Sequence, residues 1–133
     1  MDDSERLEGI LGALDRLKEL SADHIILVEG SKDVSALEAV GVAGDIFCVQ
    51  SGGGPIRAAE YAWRRGTPAV IMTDWDRRGG NLADALVENL DSLGVGWDDS
   101  VRRDLSVLCR PFCKDVESLD SVISLLESRS KSL

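Results

Sequence analysis

Two short runs of uninterrupted apolar residues constrain the fold of this chain more than anything else in it. "HIILV" (residues 24–28) and "PAVIMT" (residues 68–73) are too short to be helices of their own. They also lack the apolar/polar alternation of a strand with one wet face, so they read as strands covered on both sides, the habit of parallel sheets. What lies around them has helical period. From Ser4 to Leu20, the residues Leu7, Ile10, Leu11, Leu14, Leu17 and Leu20 recur at three- and four-residue steps, an amphipathic helix. Ser31 is placed to cap a second helix carrying Val34, Leu37 and Val40, which Gly41 ends. "DIFCV" (45–49) reads as another strand, and Pro55 opens a helix reaching about Arg65. Leu82, Leu86, Val87, Leu90 and Leu93 mark a further helix after the paired glycines. "LSVLC" (105–109) is expected to be the fourth strand, and a last helix from about Asp115 buries Val116, Leu119, Val122, Ile123 and Leu126. Alternating strands and helices predict an α/β fold of three layers around a mainly parallel sheet. Residues 1–22 are expected to form a helix packed on a domain of residues 23–128, followed by a disordered tail at 129–133.

Composition removes several classes of function. At 133 residues the chain is expected to be one domain, and 44% hydrophobic residues suit a packed core. No apolar run approaches the roughly 18 residues of a membrane span, and the acidic start "MDDSERLEG" is unlike a secretory signal, so a cytoplasmic protein without a membrane partner is expected. Cys48, Cys109 and Cys113 are an odd set without framework spacing and are expected to be reduced. Cys109 and Cys113 have no second ligand pair for zinc, and His24 is the lone histidine. A net charge of −9 repels a nucleic-acid backbone unless the bases cluster, so their placement decides whether such a partner is possible.

In an open α/β sheet, ligands bind at the carboxyl ends of the strands. Glu29 closes the first strand and Asp74 the third, and Asp76, two residues further on, is expected to face the same pocket while Trp75 turns aside. Crowded carboxylates repel unless a cation joins them. Mg²⁺, with Mn²⁺ as a substitute, suits a shallow acidic cluster because it keeps waters and leaves positions open for phosphate oxygens. Alternatively, each acid caps a helix or pairs with a nearby arginine. The bases Lys32, Arg57, Arg77, Arg78, Arg110 and Lys114 all follow strands at this edge and are expected to ring the cluster and hold phosphates. Arg64, Arg65, Arg102 and Arg103 read as ordinary surface arginines. "SGGGP" (51–55) is either a phosphate-cradling nest or a plain flexible loop.

"ILVEGSKDVSAL", followed about 45 residues after its glutamate by "VIMTDWDRRGG", resembles the Toprim domain over residues 24 to 120. The stretches "VEGSKD", "TDWDRRG" and "KDVESL" are similar to those of small stand-alone archaeal Toprim proteins and of bacterial Toprim nucleases that mature 5S ribosomal RNA. The resemblance implies a Rossmann-like Toprim fold, with a four-stranded sheet in the order 2-1-3-4. It implies a general acid/base role for Glu29 and Mg²⁺ held by Asp74 and Asp76. Asp33, Lys114, Asp115 and Glu117 match motif positions as accessory residues, and either Gly79 or Gly80 carries the family's turn. The expected activity is a Mg²⁺-dependent phosphodiesterase acting on nucleic acid, in particular structured RNA. In that reading Lys32 and Arg77 steady transition-state charge and Glu29 moves the proton. Primase-like nucleotidyl transfer uses the same cluster, and a non-catalytic module that binds nucleic acid, a protein partner or a second copy of itself is the alternative of another class.

Overall fold

The computed structural model describes residues 1–131. Its centre is the parallel sheet that the apolar runs demand. Strand β1 (Ile25–Val28), buried at all four positions, lies between β2 (Ile46–Cys48) and β3 (Ala69–Ile71). A two-residue strand, β4 (Trp97–Asp98), adds outside β3, so the order is β2-β1-β3-β4 and every pairing is parallel. Six helices complete the chain: α1 (Asp3–Leu20), α2 (Ser31–Ala39), α3 (Pro55–Arg65), α4 (Arg77–Ser92), α5 (Ser100–Leu108) and α6 (Leu119–Lys131).

The two-residue period of a strand sorts the sheet's side chains into two cores. Ile26, Val28, Val70 and Met72 face a layer built from α1, α2, α5 and α6, while Ile25, Leu27, Ala69 and Ile71 face α3 and α4. Both faces are dry, so a run such as "IILV" needs no polar position. Tyr61 fastens α3 to the start of β2: its hydroxyl donates to the Asp45 carboxylate at 2.9 Å and its ring lies 4.8 Å from that of Phe47. This Rossmann-like arrangement brings the N-termini of α2, α3 and α4 to the carboxyl edge of the sheet, each helix running back after its strand.

The expected fourth strand at 105–109 is instead the second half of α5. A short apolar run does not distinguish a strand from a buried helical segment, and here the helix wins because Val101, Leu105 and Cys109 recur at four-residue steps and are all buried, while Val107 is 58% exposed. The true edge strand has no apolar run, since one of its residues is exposed and the other half-buried. Smaller shifts have local causes. Gly30, not Ser31, is the N-cap of α2. The last helix starts at Leu119 because the Asp115 carboxylate first accepts from the Ser118 amide at 2.8 Å, closing a separate turn. The helix then continues to Lys131 where a tail was expected from 129, with Arg129 reaching Asp3 at 3.5 Å and lying over the Phe112 ring; residues 132 and 133 lie outside the described residues. All three cysteines are free thiols, and among the described residues no helix is long and apolar enough to cross a membrane.

A helix and a strand at 105–109 make opposite demands. Leu105→Ala is expected to cost about 2–5 kcal/mol. Val107→Asp is expected to change stability by less than about 0.5 kcal/mol, whereas a strand, with 105 and 107 on one face, would make both costly. Urea denaturation of the two variants decides between them.

Candidate active site

At the carboxyl edge of the sheet an open cleft of about 320 Å³ is lined by Glu29, Ser31, Lys32, Asp33, Gln50, Asp74, Arg78 and Glu117 among others. Residues far apart in sequence meet here because β1 and β3 are neighbours and end together.

Glu29 continues β1 one residue past its last pairing and is only 4% exposed. One carboxylate oxygen, Oε2, accepts from Arg78 Nη2 at 3.2 Å. The other, Oε1, is buried and has no hydrogen-bond partner. Leaving a buried acceptor unmade costs about 1–3 kcal/mol, more when it is charged. The Arg78 pairing offsets little of that, because its guanidinium is 76% exposed and largely screened by water. Glu29 therefore sits at the cleft wall with an unspent acceptor.

Asp74 is half-buried, and burial pushes its carboxyl up from 3.8 to about 7, against a hydrogen bond from the Val116 amide at 3.0 Å that pulls it down. The charges of Asp33, Glu29 and Asp115 raise it further. Asp33 is also raised, first by burial and then by Glu29, Glu117 and Asp115, although its carboxylate accepts from the Gly30 amide at 3.0 Å. Asp33, Asp115 and Glu117 thus belong to the same electrostatic cluster as Glu29 and Asp74.

Asp76 does not line this cleft. It is the N-cap of α4, its Oδ1 accepting from the Gly79 amide at 2.7 Å. The extended geometry that would aim Asp74 and Asp76 into one pocket ends at Asp76, where the helix begins. Trp75 turns aside as expected: its indole donates to the Cys113 carbonyl at 2.9 Å and its amide to that of Lys114 at 2.8 Å.

The basic ring is reduced to two members. Lys32 and Arg78 line the cleft. Arg77, Arg110 and Lys114 are exposed and outside its wall, and Arg57 pairs with Glu60 along α3 at 3.3 Å. Of the two adjacent arginines, Arg78 rather than Arg77 reaches the acids. The glycine loop after β2 is folded on itself, the Gly52 amide bonding to Cys48 O and the Gly54 amide to Val49 O at 2.9 Å each, so neither is available to a phosphate.

Two features of the site escaped sequence reading. Gln50, two residues past β2, lines the cleft. Arg102 on α5 is no ordinary surface residue, because it donates through Nε to Thr73 O at 3.0 Å and through Nη2 to Asp74 O at 2.9 Å, clamping the backbone that presents Asp74. No spacing signal marks Arg102, since it lies 28 residues away from Asp74, just before the segment expected to be a strand.

The question of which glycine makes the turn has a steric answer. A Cβ on Gly79 would fall 1.9 Å from Asp74 O, whereas one on Gly80 would meet only Arg102 Nη2 at 3.7 Å. The Thr73 hydroxyl, donating to Gly79 O at 2.8 Å, locks the same crossing.

Among the described residues, no three histidine, cysteine or acidic side chains are already arranged as a metal site. The donor chemistry nevertheless fits a hard divalent cation. Oxygen-only donors, an orphaned buried Glu29 oxygen and an Asp74 raised by burial and by nearby acids are what such an ion relieves.

No family model matches the chain. It is 36% identical over 95% of its length to a UPF0292 protein of Methanosarcina barkeri, covering 88% of that protein. The chain belongs to the UPF0292 family. A second UPF0292 protein, from Methanocaldococcus jannaschii, is 30% identical with 90% of this chain and 94% of that protein covered. A third, from Archaeoglobus fulgidus, is 33% identical with 82% and 85% covered. Among solved structures, a putative protein from Aquifex aeolicus is similar with a TM-score of 0.66, at 23% identity over 80% of this chain and 94% of that one. That likeness extends the Rossmann-like fold to a solved structure at an identity where only the fold carries over.

Two outcomes test this geometry. Gly79→Ala is expected to destabilise the protein strongly and Gly80→Ala to be nearly neutral, as read by thermal melting. A carboxyl raised from 3.8 to about 7 makes the folded state bind the extra proton, so its contribution is fully present at low pH. In metal-free protein that contribution is lost as pH rises from about 4 through about 7, and Asp74→Asn is expected to flatten the decline in melting temperature.

Proposed function

We propose that this protein is a Mg²⁺-dependent phosphodiesterase of the Toprim kind, acting on nucleic acid and in particular on structured RNA. The observation that carries this reading is the buried Glu29 carboxylate, with one oxygen unpartnered at the cleft, beside an Asp74 whose carboxyl is pushed up to about 7 by burial and then by neighbouring acids. Glu29 and Asp74 would hold the cation, with Asp33 and Glu117 lining the same cleft. When bound, the ion supplies Lewis-acid stabilisation of phosphate oxygens and a more acidic water.

The chain's own residues divide the remaining work. Lys32 and Arg78, which both line the cleft, attract and orient the phosphodiester by charge-assisted hydrogen bonds. To do so Arg78 exchanges Glu29 for a phosphate oxygen, a move its exposed guanidinium makes at small cost. Released from that contact, Glu29 accepts a proton in the transition state. Arg102, through the Thr73 and Asp74 carbonyls, keeps Asp74 in place while charge redistributes.

A second reading has one observation in its favour. The Arg78–Glu29 contact already provides a positive charge to the acids, as expected of a binding module that uses no metal. Purified protein with Mg²⁺ and a structured RNA separates the two. Cleavage reduced at least about a hundredfold in both Glu29→Gln and Asp74→Asn supports the nuclease. Unchanged cleavage in both variants assigns the activity to a contaminant and leaves the module. Growth of product only with added nucleoside triphosphates, abolished by the same changes, would make the chemistry nucleotidyl transfer.

A further inference from the structure

Between α5 and α6 the chain makes a turn that holds two thiols. Cys109 caps the end of α5 and is fully buried, and Cys113, four residues on, is half-buried. The Cys113 amide donates to the Cys109 carbonyl at 2.9 Å, so the two residues stand one helical turn apart with their side chains on one face. Both belong to the core layer that covers one side of the sheet, and the Cys109 thiol hydrogen-bonds to the Cys113 sulfur. That contact holds the Cys113 thiol below its ordinary range and, together with burial, pushes Cys109 above its own. Cys48 lies elsewhere, its thiol donating to the Glu29 carbonyl at 3.4 Å.

This turn joins two clamps on Asp74. On its α5 side, Arg102 donates to the carbonyls of Thr73 and Asp74 at 3.0 and 2.9 Å. On its other side, the Cys113 carbonyl accepts from the Trp75 indole at 2.9 Å and the Lys114 carbonyl from the Trp75 amide at 2.8 Å, while the Val116 amide donates to the Asp74 carboxylate at 3.0 Å. Side chains four apart on a helical turn have Cβ atoms roughly 5–6 Å apart, whereas a disulfide brings them to about 4 Å. Joining the two sulfurs therefore tightens the turn on the covalent path between the clamps. Cys109 is fixed in the core at 0% exposure, so the displacement falls on residues 113–116.

We propose that Cys109 and Cys113 are an oxidation site, forming a reversible disulfide that loosens the hydrogen bonds on Trp75 and Asp74 and so controls the cleft. The oxidant is a peroxide. The Cys113 sulfur, the more accessible of the two, attacks one peroxide oxygen. The O–O bond breaks, Cys113 becomes a sulfenic acid, and the other oxygen leaves as water with the Cys113 proton. The Cys109 sulfur then bonds to the Cys113 sulfur, and the sulfenic hydroxyl leaves as water with the Cys109 proton. The two thiols together lose two electrons, and hydrogen peroxide becomes two waters. A dithiol reverses the bond by exchange. This inference is independent of the reading of the cleft, because both the bond and the clamp are measured without substrate or metal.

Metal-free full chain carrying Cys48→Ser tests it, with hydrogen peroxide as the oxidant. Peptide mapping is expected to find a Cys109–Cys113 bond within one chain, removed by dithiothreitol. Hydrogen exchange at the Trp75 indole and at the Trp75 and Val116 amides is expected to quicken at least about fivefold in the oxidised form. The Ile26 amide in β1, which donates to the Asp45 carbonyl at 2.8 Å, is expected to keep its rate. Cys113→Ser, at a half-buried position, is expected to show neither the bond nor the faster exchange under the same treatment. Thiols driven to sulfinic acid, or bridged between chains, without the internal bond overturn the inference. So does a Cys109–Cys113 bond that leaves exchange at Trp75 and Val116 unaltered, or one that quickens Ile26 as much.

Discussion

The carboxylate of Glu29 stands where a strand buried on both faces leaves the interior, and the rest of the candidate site is arranged around that charge. Strand β1 cannot deliver a residue to the carboxyl edge without carrying it through the dry centre of the sheet. A glutamate at that exit is consequently buried at 4% exposure, one oxygen meeting an arginine and the other left without a hydrogen-bond partner. Apolar residues at every position of β1 give the sheet its order, and the same burial makes the next residue chemically unusual.

Asp74 is brought to this charge by several separate restraints. The Val116 amide holds one carboxylate oxygen, Lys114 and Cys113 hold the backbone and indole of Trp75, and Arg102 holds the carbonyls of Thr73 and Asp74. Gly79 allows α4 to start in contact with Asp74 O. Each hydrogen bond contributes on the order of 1 kcal/mol. Together they hold Asp74 in place against the burial and the like charges that raise its carboxyl. Helix α5, which contributes no cleft-lining side chain, becomes part of the site's support.

The two edges of the sheet differ in physical character. The carboxyl edge concentrates acids with two cationic neighbours, a surface suited to ions and phosphates. The amino edge concentrates exposed tryptophan, leucine and glycine without charge. A parallel sheet makes this separation possible, because every helix that begins beside the cleft ends at the opposite side.

Much of this was legible from residue patterns. Unbroken apolar runs in β1 and β3, with helical periods between them, pointed to a parallel sheet covered on both faces, while the order of its strands was implied by the family resemblance. "VEG" and "TDWD" located Glu29 and Asp74 at one edge. The pattern failed where only spatial neighbours decide: whether "LSVLC" is strand or helix depended on what α1 packs against, whether Asp76 faces the cleft or caps α4 depended on where the helix starts, and whether Arg77 or Arg78 reaches Glu29 depended on the direction of the first helical turn. Sequence alone determined which segments must be buried, because the hydrophobic effect acts on local composition. The tertiary structure decided which carboxylate is left unpaired and which arginine supports the site, because hydrogen bonds require partners at about 3 Å, a distance chain spacing does not specify.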